Sequence, residues 1–99
     1  MQKHIHRYIR EDGKLVGVIM GTKLENGEVI ITSAKAAISK GDVFNKQFGK
    51  QLCMDRAEAY YSKNRTPVIY ERFEEDVEKF VDNCKKYFKV DEVDITYCM

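Results

Sequence analysis

The apolar and polar positions of this chain alternate at strand spacing over its first third and at helical spacing over most of the rest. His4-Ile5-His6-Arg7-Tyr8-Ile9-Arg10 is rich in β-branched and aromatic residues and nearly alternates, which predicts a strand over 4–10. Glu11-Asp12-Gly13-Lys14 follows, and its Asp-Gly pair predicts a two-residue hairpin turn. Leu15–Leu24 is the second strand, with Leu15, Val16, Val18, Ile19 and Met20 giving it an apolar middle. Gly17 and Gly21 interrupt it and mark either a bulge or a close backbone approach. Glu25-Asn26-Gly27-Glu28 repeats the turn signal through Asn-Gly, and Val29–Ser33 is the third strand. Ala34–Ser39 reads equally as a continuation of that strand or as a loop.

Two helices follow. The first is expected from about Val43 to Ser62, with Asp42 as N-cap or with Ser39 starting the helix and Asp42 three residues on, as in a capping box. At 100° per residue, one half of this helix collects Phe44, Phe48, Leu52, Cys53, Ala59 and Tyr60. Gly49, Asp55 and Arg56 intrude on that half, while Lys46, Lys50, Ala57 and Tyr61 lie on the other. Gly49 inside a helix costs about 1 kcal/mol against alanine, so its place on the packed side predicts a backbone passing close by. Pro67 ends this stretch. Glu71–Lys89 is the cleaner helix. Phe73, Val77, Phe80, Val81, Cys84, Tyr87 and Phe88 share an arc of about 120°, with acids in the first turns and Lys85, Lys86 and Lys89 in the last, matching the helix dipole. Val93, Ile95 and Tyr97 then alternate with Asp94 and Thr96, a fourth strand at an edge. The pattern predicts an α+β fold: an antiparallel meander of three or four strands with two α-helices packed on one face, in a single domain over residues 1–99.

Composition changes this picture little. With 43% apolar, 33% charged and 11% aromatic residues, the chain is of ordinary globular type. Its net charge of +1 conceals a division: residues 1–66 carry 12 Lys/Arg against 7 Asp/Glu, and residues 67–99 carry 5 against 9. That balance argues against a strongly basic nucleic-acid binder and against mimicry of nucleic acid by acidity. Cys53, Cys84 and Cys98 are odd in number and form no CxxC, which reads as free thiols in a reducing compartment. No signal-peptide pattern opens the chain and no apolar run has the length of a membrane span, so a cytoplasmic protein without a membrane partner is expected.

Candidate chemistry is sparse. His4 and His6 share a strand face and could form half of a metal site, with Cys98 as the soft candidate at the other terminus. A metal site needs further ligands, so an exposed or half-buried strand face is the favoured reading, and neither a metal nor another cofactor is expected. No glycine-rich phosphate loop, paired nucleophile and base, or HExxH is present, and the expectation is a protein without catalysis. Arg56, set within an apolar arc, must pair with an acid such as Asp55 or Asp42, or reach a ligand past its aliphatic stem. Lys40, Lys46 and Lys50, with Lys63 or Arg65 nearby, form a positive stripe that is either solvated or a contact surface for an anion. Tyr61, Arg65 and Arg56 are the candidate anchors for a protein partner.

Asp42-x-Phe44-x-Lys46-x-x-Gly49, followed by Asp55-Arg56-Ala57, Pro67 and the basic, aromatic Lys85-Lys86-Tyr87-Phe88-Lys89, resembles a pattern in small uncharacterised proteins of tailed bacteriophages. The resemblance covers about residues 27–89. It departs before the first helix, where Ala34-Lys35-Ala36-Ala37-Ile38 stands in place of a Gly-Trp-Ser-like segment. It implies a viral accessory protein in the bacterial cytoplasm that binds a host protein and inhibits or diverts a host system. A small nucleic-acid-binding module using the lysine stripe is the second expectation.

Overall fold

In the computed structural model, which describes residues 3–35, 44–62 and 74–95, strand β1 (Lys3–Glu11) turns directly into β2 (Lys14–Lys23). Asp12 (φ 51°) and Gly13 (φ 78°) both take the left-handed region, as a two-residue type I′ hairpin requires. Ile9 stands opposite Gly17 and Arg10 opposite Leu15, so Val16 is the extra residue of a β-bulge, one position before the glycine that signalled it.

The second hairpin differs in detail from its two-residue reading. Gly27 N–H donates to the Leu24 carbonyl at 3.0 Å, and Leu24 N–H donates to the Glu28 carbonyl at 2.8 Å. Gly27 takes φ 93° and the Asn26 side chain accepts from Glu28 N–H at 3.0 Å. This is a three-residue loop, a turn followed by a glycine bulge, and only a residue free to take positive φ serves at Gly27. β3 then runs Val29–Lys35, so Ala34 and Lys35 continue the strand.

α1 spans Lys46–Ser62 and begins later than the sequence pattern predicts. Its cap is Asn45, whose Oδ1 accepts the Phe48 N–H at 2.9 Å, while Gly49 N–H donates to the Asn45 carbonyl at 2.9 Å. Ser39 and Asp42 lie outside the described residues. α2 spans Glu74–Phe88 and closes on Lys89, which takes φ 57° so that Val90 N–H reaches the Lys85 carbonyl at 3.2 Å. β4 (Asp94–Ile95) completes the sheet in the order β1-β2-β3-β4. The fourth strand is an edge strand, as its alternation predicts, but it runs parallel to β3. A parallel neighbour demands a long crossover, and both helices lie within it.

The α+β class and the order of elements match the pattern read from the sequence. The expectation that both helices share one face does not. Side chains alternate along β2, so Val18 and Met20 face one way and Ile19 and Gly21 the other. A Cβ on Gly49 of α1 would lie 3.3 Å from Val18 Cγ1, whereas a Cβ on Gly21 would collide with Cys84 Sγ and lie 3.4 Å from the Phe80 ring, both on α2. α1 therefore covers one face and α2 the other. The cause is visible in the strands: residues 16–22 of β2 and 29–34 of β3 are buried at every position, as befits strands covered on both faces.

Under α2 lies the larger core, built from Ile9, Ile19 and Ile31 of the sheet with Val77, Phe80, Cys84 and Phe88, and flanked by Ile5, Val81 and Ile95. Tyr87, expected on this apolar arc, is 57% exposed, its ring edge-on to Phe88 with centroids 4.9 Å apart. Under α1, Val18, Met20, Ala34 and Cys53 are buried, with Tyr8, Phe44, Leu52 and Met54 packed around them. The buried line of α1 is Gly49, Cys53 and Ala57, and the expected seam through Phe48 is not used: Phe48 is 69% exposed and Ala57 is fully buried. Small residues spaced by four let the helix sit so close that Cys53 Sγ comes within 3.9 Å of the Val18 carbonyl oxygen. Cys53 and Cys84 are free thiols on opposite sides of the sheet, and burial pushes Cys84 up to about 12. No helix among the described residues is long and apolar enough to cross a membrane.

A candidate interface of cations and aromatic rings along β1 and α1

β1 is the outer strand on one side of the sheet, and the first two turns of α1 pass over its inner neighbour β2. Because β1 alternates, His4, His6 and Tyr8 point to the α1 face. Asn45 fixes where the helix starts, and that sets Lys46 and Lys50 one turn apart on the side nearest β1. Lys46 Nζ stands 5.0 Å from the centroid of the Tyr8 ring, within cation–π range. His6 meets the same ring edge-on, with centroids 5.1 Å apart and planes at 68°. Phe44 is half-buried; its ring fills the space in front of Gly49, where a Cβ would collide with it. This is the reason for Gly49: a side-chain ring approaches it, where the sequence suggested a backbone. Phe48 projects outward one residue before.

The electrostatics of this face are one-sided. Residues 3–10 and 44–54 together hold five Lys/Arg and two histidines, with no Asp or Glu. The first turn of α1 carries no acid, against the usual preference of a helix dipole, and the His6 imidazole sits below its ordinary value. Burial is the main cause, and the nearby Lys50 and His4 add to it. Residues 74–95 have the opposite balance, eight Asp/Glu against four Lys. An open depression of about 660 Å³ at that side, between the β2–β3 turn and the approach to β4, is lined by Glu28, Asp91, Glu92 and Asp94. Acidic and basic edges are three strand spacings apart, roughly 14 Å.

The structure thus brings Lys46 and Lys50 together and adds His4, His6 and Tyr8, which the sequence did not connect with them, while Phe48 stands exposed on the outer side of the helix. The strand alternation of His4, His6 and Tyr8 was legible; their meeting with the helix was not. Arg56 is placed elsewhere. Its guanidinium donates to the backbone carbonyl of Ser33, on the stretch of β3 that runs past its pairing with β4 at Ile30 and Ile31. Arg56 therefore ties α1 to β3 through a backbone acceptor, while Asp55, one of its expected partners, accepts from the Gln51 amide at 2.9 Å. Lys40, Lys63, Arg65, Cys98 and the side chain of Tyr61 lie outside the described residues. Among the described residues no group of three His, Cys, Asp or Glu side chains is placed to hold a metal ion. Comparison with family models, with curated proteins and with solved structures finds no match to this chain.

Proposed function

We propose that this is a non-catalytic binding protein that engages another protein through the start of α1, with Tyr8, Lys46 and Lys50 on the margin beside β1 and Phe48 on the outer side of the helix. The observation that carries the reading is Phe48, a large aromatic side chain 69% exposed on the outer side of a helix whose first two turns carry Lys46 and Lys50 and no carboxylate before Asp55. An aromatic anchor within a polar rim is the composition of a protein-binding hot spot. The likeness of the Asp42–Ala57 segment to bacteriophage proteins supports a viral accessory role in the host cytoplasm, with the target a host protein that is inhibited or diverted. A second reading has a specific observation behind it: Lys46 over the Tyr8 ring, with Lys50 one turn on, also suits the phosphates and bases of a single-stranded nucleic acid.

Affinity capture from a bacterial lysate, with and without nuclease, separates the two. A protein partner stays bound after nuclease treatment, is lost on Phe48→Ala, and depends weakly on salt. Capture abolished by nuclease, with a log–log salt slope of about three that falls in the Lys40, Lys46, Lys50 triple alanine variant, establishes the nucleic-acid reading instead.

A further inference from the structure

We infer that the free edge of β1 is a docking strand for an acidic, extended segment of the partner, which adds to the sheet as a fifth strand. The inference rests on the binding reading above and specifies how that face recognises its partner. β1 is nine residues long, pairs only with β2, and among the described residues nothing pairs with its other side. Such an edge presents a row of backbone donors and acceptors ready for another strand.

The side chains choose which strand. A segment lying along β1 alternates its own residues between the two faces. On the α1 face it meets His4, His6 and the ammonium groups of Lys46 and Lys50, which reach over this margin from the helix. On the α2 face it meets Arg7 next to the half-buried Ile5. Acids in alternation with apolar residues satisfy both. A second copy of β1 does not: pairing it with itself sets cationic strands side by side, which is unfavourable. Charges on an edge guard against like strands and leave it open to an opposite one.

The test uses a soluble peptide of alternating Glu and Val, the same peptide N-methylated at alternate residues, and a Lys/Val control, with the intact protein. The Glu/Val peptide is expected to bind and to slow hydrogen exchange at every second amide of β1. N-methylation keeps the charges and removes main-chain donors worth about 1 kcal/mol each, so it should weaken binding at least about tenfold. The Lys46→Glu, Lys50→Glu double variant, checked for an unchanged melting temperature, should bind poorly. Binding should strengthen as pH falls and His6 becomes charged.

Equal binding of both Glu/Val peptides, or binding without protection in β1, overturns the docking strand and leaves a purely electrostatic contact. So does concentration-dependent self-association that protects β1 without peptide. If no peptide binds but a lysate partner is still captured through Phe48, the docking strand is wrong and the binding reading stands. Capture lost in nuclease-treated lysate removes both.

Discussion

α2 meets its face of the sheet with Val77, Phe80, Cys84 and Phe88, whereas α1 sits on the other along a buried line of Gly49, Cys53 and Ala57, the last of which joins the larger core. The first contact is made by bulk. It removes large apolar side chains from water, each aromatic contributing about 1.5–3 kcal/mol by transfer. The second is made by proximity: a line of small residues brings the α1 backbone down on β2, and Cys53 and Arg56 reach strand carbonyls directly. A helix seated by a narrow line needs little of its apolar side chain for the core. α1 is therefore free to carry Phe48 and Lys50 elsewhere, while α2 has its aromatic rings Phe80 and Phe88 buried in the core. The dipoles follow the same division. α2 has Glu74, Glu75 and Asp76 in its first turn and Lys85 and Lys86 in its last, and α1 has neither complement. One helix is arranged for stability, and the other gives up part of it on a cationic face.

The sharpest way to break this comparison is to remove the same side chain from each helix. Phe80→Ala should cost about 3–5 kcal/mol and Phe48→Ala less than about 0.5 kcal/mol in urea unfolding. Comparable losses would mean that α1 also holds the fold by bulk. Next come the glycines on either side. Gly21→Ala drives a methyl into the Sγ of the buried Cys84 and should cost about 1–3 kcal/mol. Gly49→Ala meets the ring tip of half-buried Phe44, which can turn aside, and recovers about 1 kcal/mol of helix propensity. It should therefore be clearly the milder of the two by denaturant midpoint.

A smaller effect of opposite sign is expected at the end of α2. Lys89 holds a left-handed conformation that costs a non-glycine residue about 1–2 kcal/mol, so Lys89→Gly should stabilise by roughly 0.5–1 kcal/mol after its own entropic cost. A drop in melting temperature would show that the lysine side chain contributes more than its backbone loses. The smallest effect concerns His6. Its folded pKa is depressed below the ordinary 6.5, so near and below that pH the unfolded chain binds more protons than the folded one. The stability linked to His6 is full above 6.5 and is lost as pH falls through it toward the folded value. His6→Gln should flatten that part of the stability profile; an unchanged slope would place the titration elsewhere.

These features were not equally legible in the chain. The hairpin at Asp12-Gly13 was, because a type I′ turn depends on residues that tolerate positive φ and on little else. The α2 face was, because large apolar residues at helical spacing have one low-energy arrangement, and Val77, Phe80, Cys84 and Phe88 take it. The α1 face was misread because a scale of hydrophobicity ranks Phe48 above Gly49, whereas close packing on a sheet ranks them by size. The cap was misread too: Asp42 and Asn45 are both favourable N-cap residues, and the helix starts after Asn45, whose Oδ1 accepts the Phe48 N–H.

The residues by themselves determined the elements, their order and the division of charge, since turn chemistry, periodicity and charge counts are local quantities. Burial of β2 and β3 on both faces was not legible, because Gly17, Gly21, Thr22, Thr32 and Ser33 break their apolar runs. Only the tertiary structure decided that α1 and α2 take opposite faces, that β4 runs parallel to β3, and that His6, Tyr8, Lys46 and Lys50 meet. Each of these joins residues far apart in the chain. The free energy that selects them is the burial of both faces of one sheet, a property of the whole assembly that no single segment carries.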